Sequence, residues 1–164
     1  MWNNTLEHMK VAMDSDCLIK LAKAGLKERV CESWQVVIPA MVQHETVERT
    51  PMLPDAMQIR DNILSGRLLV AAGGADAKQG EDAVLRLYQA GGFDGVATDD
   101  ARFIRRLRSL GVPYLVPGVV VVTLRETGAF SAEEAENAIA SLRPYISSEE
   151  YAVAQLMLWK GVVP

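Results

Sequence analysis

The 164-residue chain has the length of one domain, and with 49% hydrophobic and 23% charged residues its composition is that of a globular protein rather than a disordered or fibrous one. The formal net charge of -4 argues against a generally basic nucleic-acid-binding surface, while leaving room for a local basic patch. No segment approaches the ~20 apolar residues of a membrane span and the first residues carry no signal-peptide pattern, so we expect a cytoplasmic protein.

Short apolar runs alternate with longer helical patterns along the chain. Strands are predicted at residues 10–13, 35–38, 67–70, 95–98 and 113–116. Helices are predicted at 17–28, from Met41 to the stop at Pro51, at 54–64, at 81–90 and after Asp99, with a turn-rich loop over 71–80. This alternation is typical of βαβ units and predicts an α/β fold with a central parallel sheet.

The last third of the chain does not continue the alternation of strands and helices. The segments "SAEE" at 131–134 and "SSEE" at 147–150 each place Ser three residues before Glu, which is the pattern of a capping box at a helix start. Two helices are therefore expected to end the chain. Because no linker interrupts the sequence, residues 1–164 are expected to form a single domain, with 118–164 as a helical C-terminal extension packed on it.

The cysteines and histidines exclude two kinds of metal site. Cys17 and Cys31 are too few for a disulfide framework or a Cys-rich zinc site and are expected to act as small buried hydrophobes. The segment "HETVE" at 44–48 begins like a zinc-protease helix, but Glu48 stands where H-E-x-x-H requires the second His.

Acidic residues collect where the predicted strands end. Asp14 ends the first strand with Asp16 just inside the next helix, and Asp99 and Asp100 follow the fourth strand. Parallel strands present their carboxyl ends at one edge of the sheet, so these two groups are expected to meet there. Helix capping accounts for one acid of each pair.

Two glutamates could reach the same edge. Glu45 lies on the helix after the second strand, and Glu81 opens the helix before the fourth. Carboxylates gathered in this way repel one another and raise one another's pKa values unless a cation lies between them. Oxygen-only ligands select hard ions, so a Mg²⁺ or Mn²⁺ site is predicted.

Three stretches in this order resemble the motifs of PIN-domain nucleases: "VAMDSDCLIKL" at 11–21, "IPAMVQHETVE" at 38–48 and "ATDDARF" at 97–103. The resemblance runs from about Lys10 to Pro117. It implies that Asp14 and Glu45 are the first two acids of the family and Asp100 the last. The third acid is Glu81 or Asp82, which one residue of helix separates by about 100°, and we favour Glu81.

The family resemblance also implies a fold, an activity and partners. These are a three-layer α/β/α sandwich, Mg²⁺- or Mn²⁺-dependent endoribonuclease activity and an RNA substrate. Many PIN proteins are toxins paired with an antitoxin protein, often as homodimers. Asp99 stands where another polar residue is usual in the family and is a further candidate metal ligand, and Asp16 and Asp82 are candidate additional acids.

A basic helical face follows the double Asp. Arg102, Arg105 and Arg106 have the spacing of neighbours on one side of a helix, and beside a nuclease site they would bind RNA phosphates. The competing interpretation is a solvated face, or one paired with nearby acids.

Two other functions compete with the nuclease. The segment "DSDCL" resembles the D-x-D motif of haloacid-dehalogenase-like phosphohydrolases, but Cys17 and Leu18 stand where Gly-Thr normally follows, and Lys78 is the nearest Lys before Asp99. The other alternative is a non-catalytic PIN-like module that binds RNA or protein, which a degenerate metal site would favour.

Overall fold

The computed structural model describes residues 8–72 and 79–161 of the chain. Most of the predicted loop at 71–80 therefore lies outside the described residues, as does Lys78. Among the helices that are described, none combines the length and the apolar character needed to cross a membrane.

A five-stranded, all-parallel sheet forms the centre of the molecule, with strand order β3-β2-β1-β4-β5. The strands are β1 (Lys10–Met13), β2 (Gln35–Pro39), β3 (Leu68–Ala71), β4 (Gly95–Ala97) and β5 (Tyr114–Leu115). Strands β1, β2 and β4 are almost wholly buried, as the apolar runs of a sheet covered on both faces require. The predicted α/β class, the parallel sheet and the five strand positions are confirmed.

Nine α-helices occur in the described part of the chain, which is consistent with a three-layer α/β/α fold. Helix α5 packs across β1, β2 and β4. The helices are α1 (Ser15–Lys23), α2 (Lys27–Ser33), α3 (Ala40–Gln43), α4 (Pro54–Leu64), α5 (Gly80–Gln89), α6 (Ala101–Ser109), α7 (Pro117–Glu126), α8 (Ala132–Leu142) and α9 (Ser148–Lys160), with a π-helical segment (His44–Glu48) continuing α3.

The single helix predicted over 17–28 is wrong, because the chain forms two helices there. Helix α1 ends at Lys23, and Gly25 adopts a φ of 74° before α2 begins. A left-handed residue just past a helix end is a common helix terminator, and Gly adopts it without steric cost. The amide of Leu26 closes this end by donating to the carbonyl of Leu21.

The two helices predicted to end the chain are confirmed as α8 and α9, and a further helix that was not predicted, α7, precedes them. Helix α7 begins with Pro117 at its first position and carries four consecutive valines, residues 119–122, whose intrinsic preference is for strands. Burial against α1, α2 and β5 overrides that preference. The extension thereby shares one contiguous hydrophobic core with the sheet, reaching from Val11 and Val96 to Leu142 and Ala154.

Only one of the two predicted capping boxes forms completely. At α8, Ser131 and Glu134 exchange both hydrogen bonds. At α9, the Ser147 hydroxyl accepts from the Glu150 amide, but the Glu150 carboxylate accepts from the amide of Gly118 at 2.8 Å instead. The prediction for 147–150 is thus half wrong, and Glu150 joins α9 to the start of α7.

Candidate functional site

An acidic cleft lies at the carboxyl edge of the sheet, around a cavity of about 210 Å³. Five carboxylates from four separate parts of the sequence line it, and no Lys or Arg is among its described lining residues. The lining consists of Asp14, Ser15, Asp16, Glu45, Gln79, Gly80, Glu81 and Asp100. The predicted convergence of Asp14, Glu45, Glu81 and Asp100 is therefore seen in the structure.

Asp14 is the most buried of these acids, with 5% of its surface exposed. Its Oδ1 accepts from the Cys17 amide at 2.9 Å and so caps α1, while its Oδ2 accepts from the Thr98 hydroxyl. The pKa of Asp14 is raised to about 7, mainly by burial and in part by the negative charges of Asp16 and Asp100, which together outweigh the lowering effect of its two hydrogen bonds. A carboxyl held in this way gains strongly from a nearby cation.

Asp100 caps α6 and lines the cleft at the same time. Its Oδ1 accepts from the Phe103 amide at 2.7 Å, and its own amide donates to the Thr98 hydroxyl at 3.2 Å. Because that hydroxyl also donates to Asp14, Thr98 links the first and last acids of the predicted set. Of the adjacent pair Asp99 and Asp100, the second is thus the cap.

Glu45 reaches the cleft from the π-helical segment, a type of helix distortion that occurs frequently at functional sites. Its carboxylate accepts a hydrogen bond from the Ser15 hydroxyl. The same carboxylate lies against Gly80, the first residue of α5, where an added Cβ would come within 2.6 Å of Oε2 and 2.9 Å of Oε1. The absence of a side chain at residue 80 therefore makes room for Glu45.

Gly80→Ala is expected to weaken Mn²⁺ binding about tenfold without weakening the fold. The new Cβ displaces the Glu45 carboxylate, whereas Ala has the higher helix propensity at the start of α5. Titration calorimetry with Mn²⁺ and thermal unfolding in EDTA measure the two effects. The control is Gly161→Ala, whose Cβ would make only ordinary contacts of 3.6 Å or more. Unchanged Mn²⁺ affinity in Gly80→Ala would remove Glu45 from the site.

The first turn of α5 presents Glu81, not Asp82, to the cleft. Partial burial raises the pKa of Glu81, and the charge of Asp100 adds to that rise. Asp82 instead accepts a hydrogen bond from Arg106 Nη1 at 2.5 Å. Of the two candidates for the third acid, Glu81 therefore lines the cleft and Asp82 does not.

Asp99 lies outside the cleft, although it was also a candidate metal ligand. It forms an ion pair with Lys20, whose Nζ is 3.2 Å from Asp16 as well. Asp99 also lies beside Glu150 of α9, with which it lines another cavity. Burial and this contact with Asp99 raise the pKa of Glu150 to about 7. A neutralising lysine is therefore present at the flank of the acid cluster.

Three of these residues were missed as site components in the sequence. Thr98 stands inside the quoted "ATDDARF" motif, so its position beside two acids was a usable signal. Lys20 lies four residues after Asp16, which is ion-pair spacing on a helix. Glu150 carries no comparable signal, because only the packing of α9 against α7 brings it to Asp99.

One arginine on the basic face of α6 forms an ion pair. Arg102, Arg105 and Arg106 are all exposed, and Arg106 pairs with Asp82. Arg102 lies in the first turn of α6, beside its cap Asp100, and Arg106 pairs with Asp82, the neighbour of Glu81; the charges of both arginines oppose the rise in the pKa of Glu81. The pairing of Arg106 with a nearby acid fits the competing interpretation, and RNA binding by this face stays a prediction.

The donor set suits a hard divalent cation in its chemistry, since it consists of carboxylate and hydroxyl oxygens. Within residues 8–72 and 79–161, no group of three or more His, Cys, Asp or Glu side chains is already arranged to hold a metal ion. Coordination of a metal ion would therefore require the carboxylates to turn toward one another. Glu45 and Glu81 are only half-buried, and rotation about their side-chain bonds would allow this. Such a change is one that a cation would stabilise.

Comparison of the chain with protein-family models, curated proteins and solved structures finds no match.

Proposed function

We propose that this chain is a PIN-like, Mg²⁺- or Mn²⁺-dependent endoribonuclease that cleaves phosphodiester bonds of RNA in the cytoplasm. The observation that carries the proposal is the convergence of five carboxylates from four segments on one cavity at the carboxyl edge of a parallel sheet. Open α/β sheets bind their ligands at this edge. A cluster of like charges this close is costly to the fold and indicates a site kept for chemistry.

The four principal acids divide into two anchored and two adjustable groups. Asp14 and Asp100 are fixed by the helix amides that they cap and by their common contact with Thr98. Glu45 and Glu81 approach from the π-helical segment and α5. A bound Mg²⁺ or Mn²⁺ would supply an activated water and stabilise charge on the phosphate. The protein's own part is to hold these oxygens around one small volume.

The positive charge at the rim of the cleft favours a polyanionic substrate. The acids alone would repel a phosphate chain, but Arg102, Arg105 and Arg106 lie exposed on α6, the helix that Asp100 caps. Exposed arginines bind phosphates through bidentate hydrogen bonds and give an affinity that falls with salt. An RNA strand lying along α6 would in this way bring one phosphodiester to the cleft.

The phosphohydrolase alternative is less well supported by the position of Asp14. In that mechanism the first Asp of D-x-D attacks the phosphorus atom, so one carboxylate oxygen must be accessible. Asp14 is almost fully buried, and each of its oxygens already accepts a hydrogen bond. This arrangement favours an anchoring ligand over a nucleophile.

Incubation of the protein with a mixed RNA pool tests the proposal. We expect cleavage with Mn²⁺ or Mg²⁺ and none with EDTA. Single-stranded DNA and a generic phosphomonoester serve as alternative substrates in parallel. Intact RNA together with phosphomonoester hydrolysis would establish the phosphohydrolase instead. Intact RNA that is nevertheless retained by the protein would establish the non-catalytic module.

A further inference from the structure

Helix α9 presents an apolar outer face. Its inner side, centred on Ala154, packs against α7 and α8, whereas Val153 and Leu156 on the other side are 54% and 48% exposed. Trp159 is 73% exposed, and Met157 is exposed as well. A helix that is apolar nearly all round is typical of a buried position, so a covering surface is expected for this outer face.

Charges lie at the two ends of this apolar face. Glu149, Val153, Leu156 and Lys160 follow at spacings of four, three and four, which align them along one side of the helix. Glu149 and Lys160 are both exposed, and neither forms an ion pair within the part of the chain that the structure describes. The outer face is thus acidic at its start, apolar in its middle and basic at its end.

We propose that α9 is a self-association surface, on which a second copy of this chain docks its own α9 in antiparallel orientation. A two-fold axis midway between Ala154 and Gln155 places Glu149 opposite Lys160 of the second copy. It also places Val153 opposite Leu156.

The spacing distinguishes this orientation from a parallel one. In a parallel pair Glu149 would face Glu149 of the second copy and Lys160 would face Lys160, and both contacts are repulsive. In the antiparallel pair both contacts attract, and the two-fold axis forms each of them twice. Two 13-residue helices bury less than the ~1,200–2,000 Å² of a standard interface, so the dimer is expected to be of moderate affinity.

Charge reversal tests both the dimer and its register, independently of nuclease activity. Sedimentation velocity of the full chain at low salt, over about 1–500 µM, is expected to show a monomer–dimer equilibrium. Glu149→Lys and Lys160→Glu are each expected to raise the dimer dissociation constant at least about tenfold, because each creates two repulsive contacts. The double variant Glu149→Lys/Lys160→Glu is expected to restore it.

Mixing the two single variants is the sharpest test. A Glu149→Lys chain has Lys at both positions and a Lys160→Glu chain has Glu at both, so the mixture is expected to form heterodimers although neither variant dimerises alone. The control Glu133→Lys makes the same change in the first turn of α8 and is expected to dimerise like the parent. Because Glu149→Lys moves the net charge of -4 toward zero, a general charge effect would strengthen association rather than weaken it.

The outcomes that overturn the proposal are distinct. A chain that stays monomeric at the highest concentration has no such surface. A dimer that is indifferent to both single variants, or equally weakened by Glu133→Lys, uses another surface. Because Leu156 is exposed, Leu156→Glu is expected to leave the fold intact, and a parental dimer in that variant would also contradict the proposal.

Discussion

Asp14→Asn is expected to abolish Mn²⁺-dependent RNA cleavage and at the same time to stabilise the metal-free protein. The loss of activity should reach about a thousandfold or more, since the variant removes the buried carboxylate about which the cleft is arranged. The gain in stability follows from the cost of burying that charge. A substitution that lowers activity and raises stability is characteristic of a functional group whose place in the fold is energetically unfavourable.

The stability gain depends on pH in a direction that the pKa of Asp14 determines. Burial raises the folded-state pKa from 3.8 to about 7, so protonation of Asp14 favours the fold. The stability associated with the protonated group is fully present below about pH 4 and is lost as the pH rises through 7. Asp14→Asn removes this loss, and we expect its free energy of unfolding to exceed that of the parent by about 1–3 kcal/mol at pH 8 and by little at pH 4.

Urea unfolding in EDTA at several pH values measures this difference. Asp61→Asn is the matched control, because that carboxylate is exposed on α4 and far less of its solvation is lost on folding. Mn²⁺ is expected to stabilise the parent and to leave Asp14→Asn unchanged. A variant that is less stable than the parent at pH 8 would contradict the burial cost, whereas retained RNA cleavage would contradict the proposed role of Asp14.

The positions of the strands could be predicted because each is a short apolar run between turn signals, and the structure places all five within a residue or two of expectation. The edge at which the acids meet followed from the parallel arrangement alone, since every parallel strand ends on the same side. What could not be predicted were the features decided by tertiary packing. The valines of α7 prefer strands locally, and their burial among neighbouring helices decides otherwise.

For individual side chains of the site, too, some features could be predicted from the sequence and others were decided by tertiary packing. Sequence periodicity indicated that Glu81 and Asp82 point in different directions but not which direction is inward, because the phase of α5 is set by its packing on the sheet. The family resemblance favoured Asp100 over Asp99, but only the structure shows that Asp99 instead pairs with Lys20. Glu150 was predicted to complete a capping box, and its partner Gly118 lies 32 residues away in the chain.

Glu81→Gln and Asp82→Asn form a matched pair that separates the cleft from its surroundings. Each removes one negative charge from the first turn of α5, so their effects on the helix dipole are alike. Glu81 lines the acidic cavity and Asp82 pairs with Arg106 at its outer side. We expect Glu81→Gln to lower kcat/KM for RNA cleavage about a hundredfold or more and to weaken Mn²⁺ binding.

Asp82→Asn is expected to change RNA cleavage by no more than about threefold, because an exposed ion pair contributes little. Its release of Arg106 leaves another unpaired cation on the face of α6, so any effect on RNA affinity should be a small increase that disappears at high salt. Kinetics at two salt concentrations and Mn²⁺ titration of both variants provide the measurement. The reverse order of effects would assign the third acid to Asp82, and equal, small effects would leave the cleft with Asp14, Glu45 and Asp100 as its only essential carboxylates.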